Sequence, residues 1–383
     1  MSAPRTTVAV MALGVSRRRA IAFRARAQQL DRAPGSNDDC ALLDAGVQDT
    51  GPDGARWALV ARGADALAAT PDALSLAWTL RGAPHAYRTH DLPAIAAATA
   101  PFSDADAAKR IFDANRPLKQ AGIGTCDALR AVATEMRDIV RSPTVKGELS
   151  RQLTERMPEP YRRYCRPCDA VHLYEQPFRL AALQAGLRLQ PGTSPPVLER
   201  IPGMRPPLFH HSDEPADPRF DVVRATLRFH GPTTPAMTAQ VLDAPIREVK
   251  ERWPDDAVEV RVEGEPAWVL EHDVDELAGA EPTDDVRLLS AFDPLLQARD
   301  RDLLLPDPAA RAALWPRLGR PGAITVGGEI VATWRPRTSR GSLAVRVAPL
   351  RALTAGERAE TQDWAERLAE FRGVTPGGAE FSD

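Results

Sequence analysis

The fold is indicated most clearly by residues 219–270, which read RFDVVRATLRFHGPTTPAMTAQVLDAPIREVKERWPDDAVEVRVEGEPAWVL. Apolar residues recur at helical spacing in three short segments, and a proline or a glycine-proline pair ends each segment. Residues 258–262 then alternate between apolar and charged side chains, Gly264 makes a tight turn and residues 267–270 return. Three helices followed by a strand, a turn and a returning strand form the element order of a winged helix.

Two further segments are predicted to repeat this order of helices followed by a hairpin. Near the N-terminus, Ser16 is a good cap for a helix that begins at Arg17. Short helices follow, and then a strand over residues 74–80 returns over residues 85–89. Another copy is predicted within residues 126–188. Because the three copies cannot be aligned residue by residue, the repeat is one of architecture.

From about residue 284 the pattern changes to short strands separated by turns, and Gly327-Gly328 is typical of a hairpin. This pattern favours a small β-barrel, followed by a closing helix over residues 356–371. The expected strands are Val286–Leu289, Leu303–Leu305, Ala323–Val326, Ile330–Trp334 and Leu343–Val347.

The sequence therefore predicts a mainly α fold with β (α+β), built from three tandem winged-helix motifs and a C-terminal β-barrel. The expected boundaries are 1–100 and 101–202 for the first two winged helices, 203–218 for a linker, 219–283 for the third winged helix, 284–353 for the barrel and 354–383 for the last helix and tail.

The charge of the chain is nearly balanced overall but uneven along its length. The 383 residues carry a formal net charge of −3, which argues against coating nucleic acid by bulk electrostatics. Residues 1–32, however, contain seven arginines and one acidic residue. Arginine binds phosphate better than lysine does because its planar fork donates two hydrogen bonds at once. We therefore expect a local basic groove, or else a solvated helix face.

No apolar run approaches the ~20 residues that span a bilayer. The longest, residues 8–15, precedes Arg17, Arg18 and Arg19, whereas a secretory signal has its positive charges first. We therefore expect a cytoplasmic protein, associated with the nucleoid, with no membrane partner.

Four stretches of the sequence resemble one family of winged-helix DNA-binding proteins, which includes the AlkZ-type DNA glycosylases. They are GVQDTGP at 46–52 with ALVAR at 58–62, RGAPH at 81–85, LLSAFDPLL at 288–296 and GGEIVATWR at 327–335. The resemblance implies three winged helices and a β-barrel around a concave channel that binds double-stranded DNA. It also implies a monofunctional DNA glycosylase that excises bulky, alkylated or cross-linked purines.

In that family the activity is carried by a Gln-x-Gln motif, or by Gln-x-Asp in a sister group, and the matching residues here are Gln48, Asp49 and Thr50. An amide can hold the attacking water but cannot take its proton, whereas a carboxylate can. If the backbone is extended, Gln48 and Thr50 share a face and Asp49 points away. A turn at residues 51–54 would instead bring Asp49 inward, and the sequence leaves both arrangements open.

Threonine replaces the second active residue of the motif, so a second function is also considered. A non-enzymatic DNA-binding protein, acting as a regulator or a lesion binder, would keep the scaffold without a working water site. A weaker third interpretation is a protein-interaction module, since winged helices also bind proteins.

Eight side chains are predicted to contact DNA, chiefly its phosphates, which supply most of the affinity and little sequence choice. His85 is included because it matches a position of the family and would face a phosphate or an extruded base. The candidates are Arg17, Arg18, Arg19, Arg81, His85, Arg88, Lys146 and Arg151.

The remaining candidates for chemistry have simpler interpretations. Cys165 and Cys168, with His172 four residues on, look like half of a zinc site, but a structural zinc takes four ligands. Cys40 and Cys126 lack a paired spacing, so reduced, buried structural cysteines are favoured and no metal or cofactor is expected. Three carboxylates lie near two arginines and predict an ion-pair network that holds the barrel; they are Asp293, Asp300 and Asp302 with Arg299 and Arg301.

Overall fold

The structure is a computed structural model that describes residues 13–52, 54–64, 73–209 and 217–382. His210 and His211, which the sequence places in the predicted linker without a partner spacing, lie outside the described residues. The architecture is mixed α+β and contains a curled half-barrel sheet near the C-terminus.

Helices occur along the whole described chain, and several begin at a side-chain cap. Ser16 accepts a hydrogen bond from the backbone nitrogen of Arg19, as its position in the sequence predicts, and Thr354 and Glu357 form a reciprocal capping box. The helices are α1 (Arg17–Ala27), α2 (Leu42–Ala45), α3 (Gly54–Val60), α4 (Leu92–Thr99), α5 (Asp104–Arg110), α6 (Asn115–Gln120), α7 (Thr125–Ile139), α8 (Lys146–Arg156), α9 (Glu175–Gln184), α10 (Val222–His230), α11 (Pro235–Leu242), α12 (Ile246–Glu251), α13 (Val274–Gly279), α14 (Arg301–Leu304), α15 (Pro308–Leu314) and α16 (Ala355–Phe371).

The strands are short until the C-terminal sheet, where they lengthen. They are β1 (Leu13–Val15), β2 (Val47–Gln48), β3 (Leu74–Trp78), β4 (Pro84–Arg88), β5 (Thr144–Val145), β6 (Arg162–Cys165), β7 (Ala170–Leu173), β8 (Leu187–Leu189), β9 (Val197–Arg200), β10 (Ala257–Val262), β11 (Glu265–Leu270), β12 (Val286–Leu289), β13 (Gly322–Val326), β14 (Glu329–Ser339), β15 (Ser342–Pro349) and β16 (Thr375–Phe381).

The element order predicted for residues 219–270 is present, since α10, α11 and α12 are followed by the antiparallel β10–β11 hairpin. A parallel strand from the N-terminus, β1, adds to the free edge of β10. The segment around α7 and α8 likewise leads into a hairpin, β6–β7. The assignment of the three segments as winged helices stays a prediction.

The sheets connect segments that lie far apart in the sequence. A six-stranded sheet has the order β2-β4-β3-β8-β9-β5 and so joins residues from both of the first two predicted domains. One apolar cluster likewise contains Trp57 from α3 together with Trp334 and Trp364 from the C-terminal region. The predicted domain boundaries stay predictions, and the core runs across them.

The predicted β-barrel is a half-barrel. Its five strands follow the order β12-β13-β14-β15-β16, and within the described residues no pairing joins β12 to β16. Two buried indoles donate to carbonyl oxygens of the edge strand β12, from Trp57 to Leu288 at 2.8 Å and from Trp364 to Val286 at 2.7 Å. Side chains thus cover an edge that a barrel would close by pairing strands.

Two further strand predictions need correction. Residues 303–305 were expected to form a strand, but Leu303 and Leu304 lie in the short helix α14. A short apolar run has no periodicity that separates the two states. Strand β16, with the sequence TPGGAEF, lies in the segment predicted as a tail, and it forms by parallel pairing with β15 although glycine and proline disfavour strands.

The predicted network of three carboxylates is also different from the expectation, because two of them pair with arginines of the N-terminal region. Asp300 binds Arg24 of α1 through two hydrogen bonds of 2.9 and 2.5 Å. Asp293 binds the fully buried Arg62 through two hydrogen bonds of 2.8 and 2.9 Å. These pairs fix α1 and the turn after α3 against the segment that joins β12 to β13.

No helix among the described residues is long and apolar enough to span a membrane.

Candidate functional site

Gln48 is placed by the two-residue strand β2, which pairs with β4 so that Gln48 lies opposite His85. The preceding Gly46 has a φ of 84°, and a Cβ there would lie 2.4 Å from the ring of Tyr87. Only glycine allows this close approach. Gly46 therefore fixes the direction of the backbone where β2 begins, and the Gln48 side chain is half-buried.

The amide of Gln48 is held at both ends. Its Nε2 donates a hydrogen bond of 3.0 Å to Oγ1 of Thr50, and its Oε1 accepts one of 3.3 Å from Nη2 of Arg81. A side-chain amide has two N–H donors and two lone pairs on oxygen. One N–H and one lone pair are therefore left to hold a water molecule.

The side chain of Asp49 points away from Gln48 and Thr50 and caps the N-terminus of helix α3. Its Oδ1 accepts a 2.8 Å hydrogen bond from the backbone nitrogen of Ala55. A Cβ at Gly54 would lie 2.0 Å from that oxygen, so glycine is required for the cap. Burial raises the pKa of Asp49, against the Ala55 hydrogen bond that lowers it. Of the two arrangements that the sequence leaves open, the structure has the extended one.

His85 lies beneath Gln48 and is 5% exposed. Its Nδ1 lies 3.0 Å from Oγ1 of Thr79 and 3.0 Å from the carbonyl oxygen of Ala83. Burial, with a contribution from the charge of Arg81, lowers the pKa of His85 to about 3. His85 is therefore a neutral imidazole at physiological pH and offers no positive charge to a phosphate.

An inner pocket of ≈ 70 Å³ opens beside Gln48. Most of its wall is apolar, and its polar side chains include Gln48, Arg81, His85, His230 and Gln297. Nδ1 of His230 and Nε2 of Gln297 have no hydrogen-bond partner in the described part of the chain. Burial lowers the pKa of His230 to about 3. The pocket thus presents neutral polar groups with unused hydrogen-bonding capacity.

Thr50 lines a second cavity, the outer groove, which has a volume of ≈ 690 Å³. Three arginines line it, namely Arg317, Arg320 and Arg335, and none of them forms an ion pair with a carboxylate of the described residues. Leu318, also in its wall, is 88% exposed. A groove with unpaired cations and an exposed apolar side chain fits a polyanionic ligand with flat apolar parts, such as nucleic acid.

The positive charge continues from the outer groove to Gln48. Burial lowers the pKa of Arg81 to about 10, and the charges of Arg299 and Arg320 add to this effect while Asp243 opposes it. Burial and the charge of Arg320 also lower the pKa of Arg299. These arginines are therefore close enough to repel one another, and an anion bound between them would relieve the repulsion.

The predicted DNA contacts of helix α1 have different surroundings. Arg17 pairs with Glu329 at 3.1 Å and donates to the carbonyl oxygens of residues 303 and 304. Arg19 pairs with Glu281 at 2.6 Å. Arg18 is exposed and has no carboxylate partner among the described residues. Arg17 and Arg19 hold α1 in place, and Arg18 is the member of the run that is open to a ligand.

Arg88 supports the fold. It is 3% exposed and binds Asp44 at 2.7 Å and Asp91 at 3.4 Å. A buried arginine that is neutralised by two carboxylates cannot reach a phosphate without breaking these pairs, so Arg88 is not retained among the proposed DNA contacts.

The two candidates on α8 are partly neutralised. Lys146 pairs with Glu175 at 2.8 Å. Arg151 is exposed and lies between Glu148 at 2.6 Å and Glu155 at 2.5 Å. These side chains are accessible, but neighbouring carboxylates oppose the approach of a phosphate.

The arginines of the outer groove were missed at the level of sequence, although a signal for them exists. Residues 308–356 contain eight arginines and one acidic residue, Glu329. This second basic segment is spread over a helix, two hairpins and their loops, so it does not stand out as a charge run. A count of charge in a sliding window would have found it.

The cysteines also differ from the prediction of buried structural residues. Cys40 is buried, but Cys126 and Cys165 are half-buried and Cys168 is exposed. Burial raises the pKa of Cys126 to about 12. Cys165 and Cys168 lie at the tip of the β6–β7 hairpin, where little of the core reaches them.

The family model described as DNA glycosylase AlkZ-like matches residues 40–371. The chain therefore belongs to the AlkZ-like DNA glycosylase family. A particular solved structure that is similar is Streptomyces sahachiroi DNA glycosylase AlkZ. The TM-score is 0.71 at 20% sequence identity, over 97% of this chain and 100% of that chain. At this identity the likeness shows a shared fold. No curated protein matches the sequence.

Proposed function

We propose that the chain is a monofunctional DNA glycosylase that hydrolyses the N-glycosidic bond of alkylated purines in duplex DNA, including bulky and cross-linked ones. The observation that carries the proposal is the free hydrogen-bonding capacity of Gln48. Its amide is fixed by Thr50 and Arg81 and still has one donor and one acceptor for a water molecule at the edge of the basic groove.

The chemistry required of such a site is modest for an alkylated purine. A purine alkylated at N7 carries a positive charge, so it leaves the sugar as a neutral base without an acid catalyst. Water then adds its oxygen to the anomeric carbon of the oxocarbenium-like sugar, and its proton passes to solvent. Positioning the water is the step that Gln48 can perform without accepting a proton.

The sizes of the two cavities support a division of roles. An apolar cavity of about 150 Å³ accommodates benzene, and a purine is larger than benzene. The inner pocket, at ≈ 70 Å³, has room for water but not for a base. The outer groove, at ≈ 690 Å³, has room for a bulky adduct. We infer that the lesion remains on the groove side while the water is held beside Gln48.

The DNA backbone is assigned to the unpaired arginines of the groove. Arg317, Arg320 and Arg335 would bind phosphates, and Arg81 would lie closest to the phosphate next to the lesion. Leu318 projects from the same wall and would pack against the duplex as a wedge does. Phosphate contacts position the duplex and leave the recognition of the lesion to the groove.

The alternative function is a DNA-binding protein that recognises lesions without excising them. The observation that favours it is the position of Asp49, because its Oδ1 is occupied by the α3 cap and it lines neither cavity. Among the described residues of the motif, no carboxylate is therefore free to take a proton beside Gln48.

A base-excision assay distinguishes the two functions. Duplexes with an N7-alkylguanine, and others with an N7-linked cross-link, are incubated with the protein and then heated in alkali to cleave abasic sites. Cleavage above the control without enzyme, reduced at least about tenfold in Gln48→Ala, supports the glycosylase. Gln190→Ala is the matched control, since Gln190 lines neither cavity and bonds Glu199 at 2.7 Å.

Other outcomes have equally definite meanings. Excision that is unchanged in Gln48→Ala removes Gln48 from the mechanism. Salt-dependent binding to both duplexes without any cleavage supports the lesion binder and rejects the glycosylase for these substrates.

A further inference from the structure

Two cysteines and a histidine converge at the tip of the β6–β7 hairpin, away from both cavities lined by the Gln48 motif. The ligand atoms of Cys165, Cys168 and His172 all lie within 4.8 Å of one another. In the hairpin, Cys165 pairs with Ala170 and His172 pairs with Arg163. Because side chains two residues apart share a face of a strand, His172 lies diagonally across from Cys165 on the same face.

The loop between the strands brings Cys168 back to this face. Residues 166–168 form a single 3₁₀ turn, and Asp169 follows with φ 48° and ψ 41°. This left-handed residue reverses the chain immediately after Cys168 and starts β7. The spacing of two residues between the cysteines is the spacing found in zinc knuckles.

The histidine is held in the form that binds metals. Its Nδ1 lies 2.7 Å from the carbonyl oxygen of Leu173. A carbonyl only accepts hydrogen bonds, so Nδ1 carries the proton and Nε2 keeps its lone pair. Fixing the tautomer through a backbone carbonyl is how proteins commonly orient a metal-binding imidazole.

We propose that Cys165, Cys168 and His172 bind one zinc ion at this hairpin tip. Two thiolates and an imidazole are soft and borderline ligands, which favour zinc over magnesium or calcium. With Zn–S bonds of about 2.3 Å, tetrahedral geometry separates two sulfurs by about 3.8 Å. The ligand atoms lie within 4.8 Å of one another, so they would have to approach by no more than about 1 Å to reach that separation. No other Cys, His, Asp or Glu of the described chain joins the group, so the fourth position would be open to water, as in three-ligand zinc sites and unlike the closed four-ligand sites.

A zinc ion at this place would cross-link a hairpin tip that apolar packing does not reach. Leu173 anchors the base of the hairpin and is 2% exposed, whereas Tyr164 and Val171 on the same face are 58% and 52% exposed. A two-stranded ribbon without a core is marginally stable in water. Zinc would fix the tip and, with it, the directions of Arg163 and Arg166.

Metal content and spectroscopy of the full chain test the proposal without reference to activity. The protein is produced with zinc in the medium, dialysed, and analysed for metal by mass spectrometry. Cobalt is then substituted to look for thiolate-to-cobalt charge-transfer bands. We expect about one zinc per chain in the natural protein and in the control Cys126→Ser, whose half-buried thiol lies on α7.

The double variant Cys165→Ser/Cys168→Ser is expected to lose the zinc and the charge-transfer bands. His172→Ala is expected to weaken zinc binding by roughly tenfold or more. Circular dichroism of each variant shows whether it is folded, which the exposed position of the tip favours. A natural protein without zinc after loading, zinc that persists in the double variant, or a disulfide between Cys165 and Cys168 under reducing conditions would each overturn the proposal.

Discussion

The side-chain nitrogen of Gln48 lies 3.0 Å from the hydroxyl oxygen of Thr50 and donates a hydrogen bond to it. The two residues are neighbours on one face of extended backbone, and each lines a different cavity. Thr50 thus connects the inner pocket to the outer groove and holds the amide in one orientation. A threonine in this position has a defined structural role in the motif.

Two substitutions at Thr50 distinguish the effect of its hydroxyl group from the effect of its side-chain volume. Thr50→Val keeps the volume and removes the acceptor, so the Gln48 amide loses one of its two anchors and is held by Arg81 alone. We expect excision to fall by about tenfold, which corresponds to one hydrogen bond of ~1.4 kcal/mol. Thr50→Ser keeps the hydroxyl and should stay within about twofold of the natural protein. Single-turnover kinetics on an N7-alkylguanine duplex measure both, and equal rates for the two variants would refute the role of the hydroxyl.

The arginines of the outer groove should control affinity for DNA in proportion to the phosphates they contact. Arg320→Ala is expected to weaken binding to all duplex sequences alike and to reduce the slope of log K against log salt by ~0.9. Titration of a labelled duplex at several salt concentrations measures the slope.

Arg151→Ala is the comparison for that titration, since Arg151 lies on α8 between two glutamates. We expect it to change the slope less than Arg320→Ala does. The reverse order would place the duplex on α8 rather than in the outer groove.

The buried pair of Arg62 and Asp293 should contribute strongly to the stability of the folded chain. Both side chains are fully buried, and Arg62→Ala leaves the Asp293 carboxylate without its countercharge. We expect the free energy of unfolding to fall by about 3–5 kcal/mol, as measured by urea denaturation. Arg247→Ala removes an exposed partner of Glu251 and should leave the midpoint unchanged. Similar losses in both variants would mean that burial of the pair is not the cause.

The two histidines of the inner pocket should make stability depend on pH. Burial lowers the pKa of His85 and of His230 from 6.5 to about 3, so the unfolded chain binds protons that the folded chain excludes. Their contribution is therefore fully present above pH 6.5 and is lost as the pH falls from 6.5 towards 3.

His85→Gln should reduce the slope of the unfolding free energy against pH in that window by up to about 1.4 kcal/mol per pH unit. Urea denaturation at a series of pH values between 7.5 and 4 measures the slope. An unchanged slope would mean that His85 takes up no proton on unfolding, which would contradict its lowered pKa in the folded protein.

Local signals predicted those parts of the fold that depend on neighbouring residues. The helix that begins after Ser16 and the helices and hairpin of residues 222–270 follow from caps, periodicity and turns. The half-barrel was predicted as a barrel, because each strand has its own pattern but closure depends on which edges meet. Strand β16 has no pattern of its own and exists only beside β15.

The site divides in the same way. The sequence identified Gln48, Asp49 and Thr50 through the resemblance, and it limited their geometry to two arrangements. The choice between them depends on the β2–β4 pairing and on Gly54, which allows Asp49 to cap α3. The zinc-like spacing of Cys165 and Cys168 was visible, but exposure at a hairpin tip was not.

The sequence by itself determined the helices, the hairpins and the family resemblance, since these depend on periodicity and on short motifs. Only the tertiary structure decided which arginines are available to DNA. Arg17 is neutralised by Glu329, far away in the chain, and Arg88 is neutralised by the buried Asp44. Arg320 lines the outer groove and has no carboxylate partner among the described residues. The physical reason is that an ion pair forms by proximity in space, and the sequence position of an arginine does not tell which carboxylate the fold brings to it.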